Sequence, residues 1–156
     1  MRTRLVVFAL ALVGVSAGLG AAEDPLIGTW KLNLAKSKFS PGPPPQGEIL
    51  KFEPYGDNGI KVTAQVTDAQ GKAVVTEYSG SFDGKDVPVT GTEDADTASM
   101  KRINASTTER TYKKAGKVTT TARRVVSKDG KTLTVTSKGT NAKGQPVNNV
   151  SVFDKQ

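Results

Sequence analysis

Glycine-containing turn signals recur along this chain at nearly constant intervals. The clearest are "DNG", "QGK", "DGK", "AGK", "DGK" and "KGQ", which begin at positions 57, 70, 83, 115, 129 and 143. Glycine adopts the positive φ that hairpin turns require, and a preceding Asp or Asn tolerates the same region. Several of these signals lie 13 or 14 residues apart, which leaves about ten residues for each strand. The spacing is typical of an up-and-down antiparallel meander.

Between the turns, apolar and polar residues alternate with the period of a half-buried strand. In residues 60–67, Ile, Val, Ala and Val occupy one face while Lys, Thr, Gln and Thr occupy the other, and 74–82 and 132–136 follow the same rule. After residue 23, only "LNLAKSKF" could form a single helical turn. We therefore predict about ten strands, at residues 27–33, 47–54, 59–68, 73–82, 85–90, 97–104, 106–114, 117–127, 131–140 and 146–154.

A meander of short strands leaves two open edges unless its first and last strands pair. Hydrophobic residues make up only 36% of the chain, which suits the interior of one barrel better than the core of a sandwich. We predict an all-β fold, a closed antiparallel up-and-down β-barrel of about 8–10 strands. The single tryptophan, Trp30, stands at the start of the first strand. It is predicted to plug one end of the barrel, where burial removes roughly 150–250 Å² of indole surface from water.

Residues 1–22 have the three-part organisation of a secretory signal peptide. Arg2 and Arg4 precede an apolar run over residues 5–15, and small residues follow up to Ala22. The run is shorter than the roughly 20 residues that a membrane-spanning helix needs. We predict cleavage after Ala22, a single barrel domain over residues 23–156, no membrane span, and a periplasmic or secreted location.

Both ends of the predicted barrel resemble the calycins, the group that contains lipocalins and intracellular fatty-acid-binding proteins. "IGTWKL" is similar to their first-strand Gly-x-Trp signature, and "VSVFDKQ" is similar to the closing strand of the fatty-acid binders. The opening "GTWKLN…KSKF…PGP" also resembles that of exported bacterial proteins. The resemblance implies a non-enzymatic protein that binds a small amphipathic or apolar molecule in the barrel lumen.

The chain departs from the fatty-acid binders at two points. Those proteins hold a carboxylate with an Arg-x-Tyr pair on the last strand, whereas the matching positions here are Ser151 and Phe153. Their helical lid is replaced by the proline-rich segment "SPGPPPQ", residues 40–46. The familiar carboxylate grip therefore cannot be carried over to this chain.

Residues 97–127 break the clean alternation and place arginines where an inward face could lie. In one arrangement these strands expose a cationic face to solvent, which we favour because an isolated charge is costly to bury. In the other, the arginines face the lumen and meet the acidic head group of a ligand. The candidate ligand-binding residues are Tyr78, Phe82, Met100, Arg102, Arg110, Tyr112, Arg124 and Phe153.

The composition excludes several classes of function. The chain has no histidine and no cysteine, so Ser-His-Asp and Cys-His catalysis, zinc sites of the usual kind and disulfides are excluded. The acidic segment "TEDAD" lacks the long loop and distal glutamate of a calcium hand. We expect no enzymatic activity, no metal and no cofactor.

The net charge of +7 falls to +5 once Arg2 and Arg4 are removed with the signal peptide. The lysines lie mostly at hairpin tips and no aromatic platform accompanies them, so we expect no nucleic-acid partner. We expect a monomer, with at most weak contact to an anionic envelope surface. The alternative to a carrier is a barrel packed with its own side chains that acts through its surface. A lumen below about 300 Å³ would favour that alternative.

Overall fold

The computed structural model describes residues 22–156. The predicted signal peptide, apart from Ala22, lies outside the described residues. A short 3₁₀ helix at Leu34–Lys36 is followed by the proline-rich segment. The ten strands are β1 (Gly28–Leu32), β2 (Gly47–Tyr55), β3 (Gly59–Thr67), β4 (Ala73–Ser81), β5 (Val87–Pro88), β6 (Thr97–Asn104), β7 (Thr107–Lys114), β8 (Lys117–Val126), β9 (Thr132–Thr140) and β10 (Pro146–Lys155).

All ten strands belong to one antiparallel sheet that curls into a nearly closed barrel. Its order is β4-β3-β2-β1-β10-β9-β8-β7-β6-β5, so the meander closes through the pairing of β1 with β10. In the register, Trp30 lies opposite Leu50 of β2 on one side and Lys155 of β10 on the other. The prediction of an all-β up-and-down barrel is confirmed, and the strand bounds agree closely except at β5.

The remaining seam lies between β4 and the segment around β5. Glu77 and Thr90 form an isolated antiparallel bridge there, with N–H···O distances of 3.0 and 3.1 Å in the two directions. The adjacent Gly91 has a φ of +83°, and a Cβ at this position would lie 1.7 Å from the carbonyl oxygen of Val75. Only glycine therefore allows the two backbones to approach closely enough to seal the seam.

Gly91→Ala is expected to lower the free energy of unfolding by about 1–3 kcal/mol more than Gly116→Ala does. Gly116 has a similar φ of +75°, but no atom lies within 4 Å of the place that an alanine methyl group would occupy, so it controls for the backbone strain alone. Urea unfolding followed by circular dichroism measures both variants. Equal losses of stability would show that the contact with Val75 is unimportant.

One end of the barrel is closed by a dense apolar cluster. Trp30 is 0% exposed, and its indole Nε1 donates a hydrogen bond to the carbonyl oxygen of Leu26 at 2.9 Å. The Nζ of Lys155 lies 5.1 Å from the centroid of the Trp30 ring. Residues 24–27 thus fold across the base of the barrel, where Asp24 forms an ion pair with Arg102.

Within residues 22–156, no helix combines the length and the apolar character needed to cross a membrane.

Candidate functional site

The barrel encloses a cavity of about 330 Å³ above its closed end. Side chains from β2, β3, β4, β7, β8, β9 and β10 line it, together with Thr92 and Asp94 from the loop that follows β5. The volume lies at the lower end of the range for small-molecule sites, which begins at about 300 Å³. The lumen is therefore not filled by the protein's own side chains.

Two arginine side chains from neighbouring strands line this cavity. Arg110 on β7 is 8% exposed and Arg124 on β8 is 5% exposed. Along β8, the alternate residues Thr120, Ala122, Arg124 and Val126 are buried while residues 121, 123 and 125 are exposed. Regular strand alternation therefore carries the guanidinium inward. The solvent-facing arrangement favoured from the sequence is wrong for both arginines.

Arg124 is only partly satisfied by its surroundings. Its Nη2 donates to the hydroxyl of Tyr78 at 2.5 Å, and its Cζ lies 5.2 Å from the centroid of the Phe52 ring. Its Nε and Nη1 are buried and have no hydrogen-bond partner among the described residues. A buried guanidinium N–H without an acceptor is costly, so this side chain is suited to bind an anionic group in the lumen.

Arg110 is held mainly by aromatic stacking. Its Cζ lies 3.4 Å from the centroid of the Tyr112 ring, whereas its Nη2 contacts the Thr120 hydroxyl only at 3.5 Å. Its buried Nε has no partner in the described part of the chain. Tyr112 also packs edge-on against Tyr78, with ring centroids 5.8 Å apart. Burial and the neighbouring Tyr78 raise the pKa of Tyr112 to about 12, so its phenol stays neutral.

Glu48 supplies a carboxyl group to the same lumen. It shares the inner face of β2 with Leu50 and Phe52, both of which are buried. Burial raises the pKa of Glu48 to about 7, although the positive charges of Arg110 and Arg124 act to lower it. The carboxyl forms no ion pair within 4.0 Å with any residue in the range 22–156. It is therefore close to half-protonated at neutral pH.

The cavity opens at the end of the barrel opposite Trp30. An outer pocket of about 360 Å³ is lined by Phe39, by Pro43 of the proline-rich segment and by Arg110. Arg110 therefore lines both this outer pocket and the lumen. Across this mouth, a carboxylate oxygen of Asp94 accepts a hydrogen bond from the backbone N–H of Ala142 at 2.6 Å. The proline-rich segment, the loop that contains Asp94 and the loop that contains Ala142 therefore border the path from solvent to the buried arginines.

No protein-family model matches the sequence, and no curated protein matches it. Among solved structures, the fluorescent protein UnaG is 15% identical, covers 84% of this chain and 97% of its own, and has a TM-score of 0.55. A single-residue variant of UnaG is 14% identical, covers 85% and 96%, and has a TM-score of 0.57. The zebrafish ileal bile acid-binding protein with cholic acid is 14% identical, covers 85% and 99%, and has a TM-score of 0.46.

The fold is a calycin-like β-barrel. Within this calycin-like barrel, Ser151 and Phe153 line the lumen. They are the positions that the sequence resemblance matches to the Arg-x-Tyr pair of the fatty-acid binders. The guanidinium groups come instead from β7 and β8. In the order of the sheet, β8 lies two strands and β7 three strands from β10.

The structure divides the eight predicted ligand-binding residues into two groups. The residues that line the cavity are Tyr78, Arg110, Tyr112, Arg124 and Phe153. The other three are absent from the cavity lining and lie towards the closed end: Phe82, Met100 and Arg102. There the Cζ of Arg102 lies 4.3 Å from the centroid of the Phe82 ring, and its ion pair with Asp24 satisfies its charge.

Glu48 lines the lumen but is not among the residues predicted from the sequence to bind a ligand. A signal for it was present, because Glu48, Leu50 and Phe52 alternate on one face of a strand.

The acidic segment 93–96 does not gather ligands, since no group of three metal-binding residues occurs within the described range. The Asp96 carboxylate accepts a hydrogen bond from the backbone N–H of Ala115 and forms an ion pair with Lys114, so it is already engaged within the protein.

Proposed function

We propose that this protein is an exported, non-enzymatic binding protein that holds a small amphipathic anion in the lumen of its barrel. The anionic group lies against Arg110 and Arg124, and the apolar part lies along the side chains of Leu50, Val62 and Phe153. This assignment joins the calycin resemblance of the sequence to the chemistry of the cavity.

The observation that carries the proposal is the pair of buried guanidinium groups. Three of their nitrogens, Nε of Arg110 and both Nε and Nη1 of Arg124, have no partner in the described chain. A cavity of about 330 Å³, with both apolar and polar groups in its wall, is lined by these two arginine side chains. Charge-assisted hydrogen bonds to a carboxylate, sulfonate or phosphate would satisfy them. The two carboxyl groups of the lining, Glu48 and Asp94, form no ion pair within 4.0 Å with either arginine.

The packed-barrel alternative receives less support. A lumen below about 300 Å³ would favour it, and the cavity observed is about 330 Å³. It also gives no reason for placing two arginines on the inner face of neighbouring strands. A ligand supplies that reason, since buried charges are retained where they are paired.

Export, with a periplasmic or secreted location, is the part of the proposal that rests on residues 1–22. The mature chain would begin at Glu23, immediately before Asp24, which pairs with Arg102 in the folded barrel. Cleavage after Ala22 would thus keep in the mature chain every residue that closes the base of the barrel. We include in the proposal that the mature protein is a monomer whose basic surface makes only weak contacts with anionic envelope surfaces. Sequencing of the amino terminus of protein purified from its source tests the cleavage site.

Two dyes that share one aromatic skeleton and differ only in a sulfonate group test the ligand class. The sulfonate dye 8-anilinonaphthalene-1-sulfonate is expected to bind at least about tenfold more tightly than neutral N-phenyl-1-naphthylamine, because only the sulfonate meets the arginines. Arg124→Met is expected to lower the affinity for the sulfonate dye by about tenfold or more and to change the affinity for the neutral dye by less than about twofold. Fluorescence titration measures both dissociation constants.

Arg123→Met is the matched control, because Arg123 is the exposed neighbour on the same strand. It removes the same charge from the outer wall and should change neither dye's affinity. Equal affinity of the wild type for the two dyes would remove the anionic part of the proposal. Failure of both dyes to bind would remove the carrier function itself.

A further inference from the structure

Carboxyl groups as well as two guanidinium cations line the lumen, and the position of one carboxyl group, that of Glu48, bears on what accompanies a ligand. Glu48 on β2 lines the same cavity as Arg110 on β7 and Arg124 on β8. No ion pair within 4.0 Å joins Glu48 to either arginine or to another described residue. An anion placed against the guanidinium groups therefore enters a chamber that already contains a carboxyl group of the same sign.

We propose that the lumen takes up its anionic ligand together with one proton from solvent, which the Glu48 carboxylate accepts. The inference rests on the proposed function and specifies how that site is regulated. Above pH 7 and before binding, two guanidinium groups and one carboxylate give these three side chains a net charge of +1. After binding, two guanidinium groups, one neutral carboxylic acid and one monoanion give the same net charge. No covalent bond within the ligand forms or breaks.

The electrostatics of Glu48 give this coupling its direction. Burial raises the pKa of Glu48 to about 7, and only Arg110 and Arg124 hold it that low. A bound anion offsets the positive potential of the arginines and raises the pKa of Glu48 further. By reciprocity, protonation of Glu48 strengthens the binding of the anion by the same factor. Below pH 7 the carboxyl group is already neutral. Above pH 7 each binding event must draw a proton from solvent, so affinity falls.

The other charged or titratable groups around Glu48 do not supply this behaviour. Tyr112 on β7 stays neutral because its pKa is raised to about 12. The Tyr78 hydroxyl on β4 is engaged by Arg124. Lys31 on β1 is exposed, and although it shares an outer pocket of about 500 Å³ with Glu48, it forms no ion pair with Glu48 within 4.0 Å. The lining residues of β3, β9 and β10 are apolar or hydroxyl-bearing. Asp94 is the second carboxyl group of the lining, and it lies at the mouth, where it accepts the Ala142 N–H at 2.6 Å.

Titration with 8-anilinonaphthalene-1-sulfonate between pH 6 and pH 8 tests the coupling, since the sulfonate remains ionised throughout. The dissociation constant of the wild type is expected to rise about tenfold over this interval. Calorimetry at pH 8 in triethanolamine and in Tris, two buffers that carry no anionic group and differ in their heats of ionisation, should report uptake of nearly one proton for each dye bound. Glu48→Gln should bind the dye with a dissociation constant that varies less than about twofold and with no proton uptake.

Two variants separate Glu48 from other carboxyl groups. Glu53→Gln removes the same charge from β2, at a position where the side chain pairs with Lys51 on the outer surface at 3.0 Å, and should behave as the wild type. Asp94→Asn should also retain the pH dependence. Circular dichroism of each variant establishes that the barrel has folded.

The outcomes distinguish this inference from the proposed function. If the wild type binds the dye with equal affinity at pH 6 and pH 8, the carrier stands and proton uptake is refuted. A pH dependence that survives in Glu48→Gln, or that disappears in Asp94→Asn, also refutes the role of Glu48. If the dye does not bind at any pH, the proposed function and this inference are both overturned.

Discussion

Replacing Trp30 with alanine is expected to lower the free energy of unfolding by about 3–5 kcal/mol. The indole is 0% exposed, and its Nε1 donates to the carbonyl oxygen of Leu26 at 2.9 Å. Alanine would leave a large void between β1, β2 and β10 and would free the chain segment that crosses the base. Because Trp30 is the only tryptophan of the chain, unfolding of the variant must be followed by circular dichroism in urea.

Two further substitutions isolate the cause of this loss. Trp30→Phe keeps an aromatic ring but removes the donor to Leu26, so it should lose less stability than Trp30→Ala. Tyr55→Ala removes an aromatic side chain that is 49% exposed and should change stability by less than about 0.5 kcal/mol. A loss below about 1 kcal/mol for Trp30→Ala would show that the indole does not hold the base closed.

Glu48→Gln is expected to stabilise the protein by about 3 kcal/mol at pH 8. The pKa of Glu48 is raised from 4.5 to about 7 in the folded chain, so between these values the native state binds more protons than the unfolded state. The favourable contribution of this group is complete below the unfolded pKa and is lost as pH rises through the folded pKa. Glutamine is neutral at every pH and avoids the buried charge.

The pH dependence provides the measurement. Urea unfolding should give wild type and Glu48→Gln stabilities within about 1 kcal/mol of each other at pH 5 and the full difference at pH 8. Glu53→Gln, on the outer face of the same strand, should not reproduce that divergence. A constant difference between wild type and Glu48→Gln across this range would show that Glu48 titrates in the folded state as it does in the unfolded chain.

The strand order could be predicted from the sequence because it follows from local features. Turn glycines fixed where each hairpin reverses, and the period of two fixed where each strand ran. The exception is β5, predicted over residues 85–90 and observed only at Val87–Pro88. Pro88 has no N–H to donate to a ladder, and beyond β5 the backbone meets β4 only through the bridge between Glu77 and Thr90. Such a seam leaves no periodic trace in the sequence.

The lumen was harder to predict because alternation reports the face of a strand but not the height of a residue within the barrel. Met100 and Arg102 share the face that points inward, yet they lie towards the closed end. Arg102 meets its counterion Asp24, a residue 78 positions away in sequence. For Arg110 and Arg124 the sequence favours the solvent-facing direction over the inward one because of the cost of burying a charge. That argument holds for a filled core and fails for a cavity that can admit an anion.

The pairing of β1 with β10 also sets an order of events during synthesis. Translation produces the strand that carries Trp30 before the strand that carries its neighbour Lys155, so the ring lacks one side of its enclosure until Pro146–Lys155 have been made. Before then, β1 and β9 each present an unpaired edge to which another nascent chain could add. A chain truncated before Pro146 would therefore form an open, aggregation-prone sheet instead of a slightly smaller barrel.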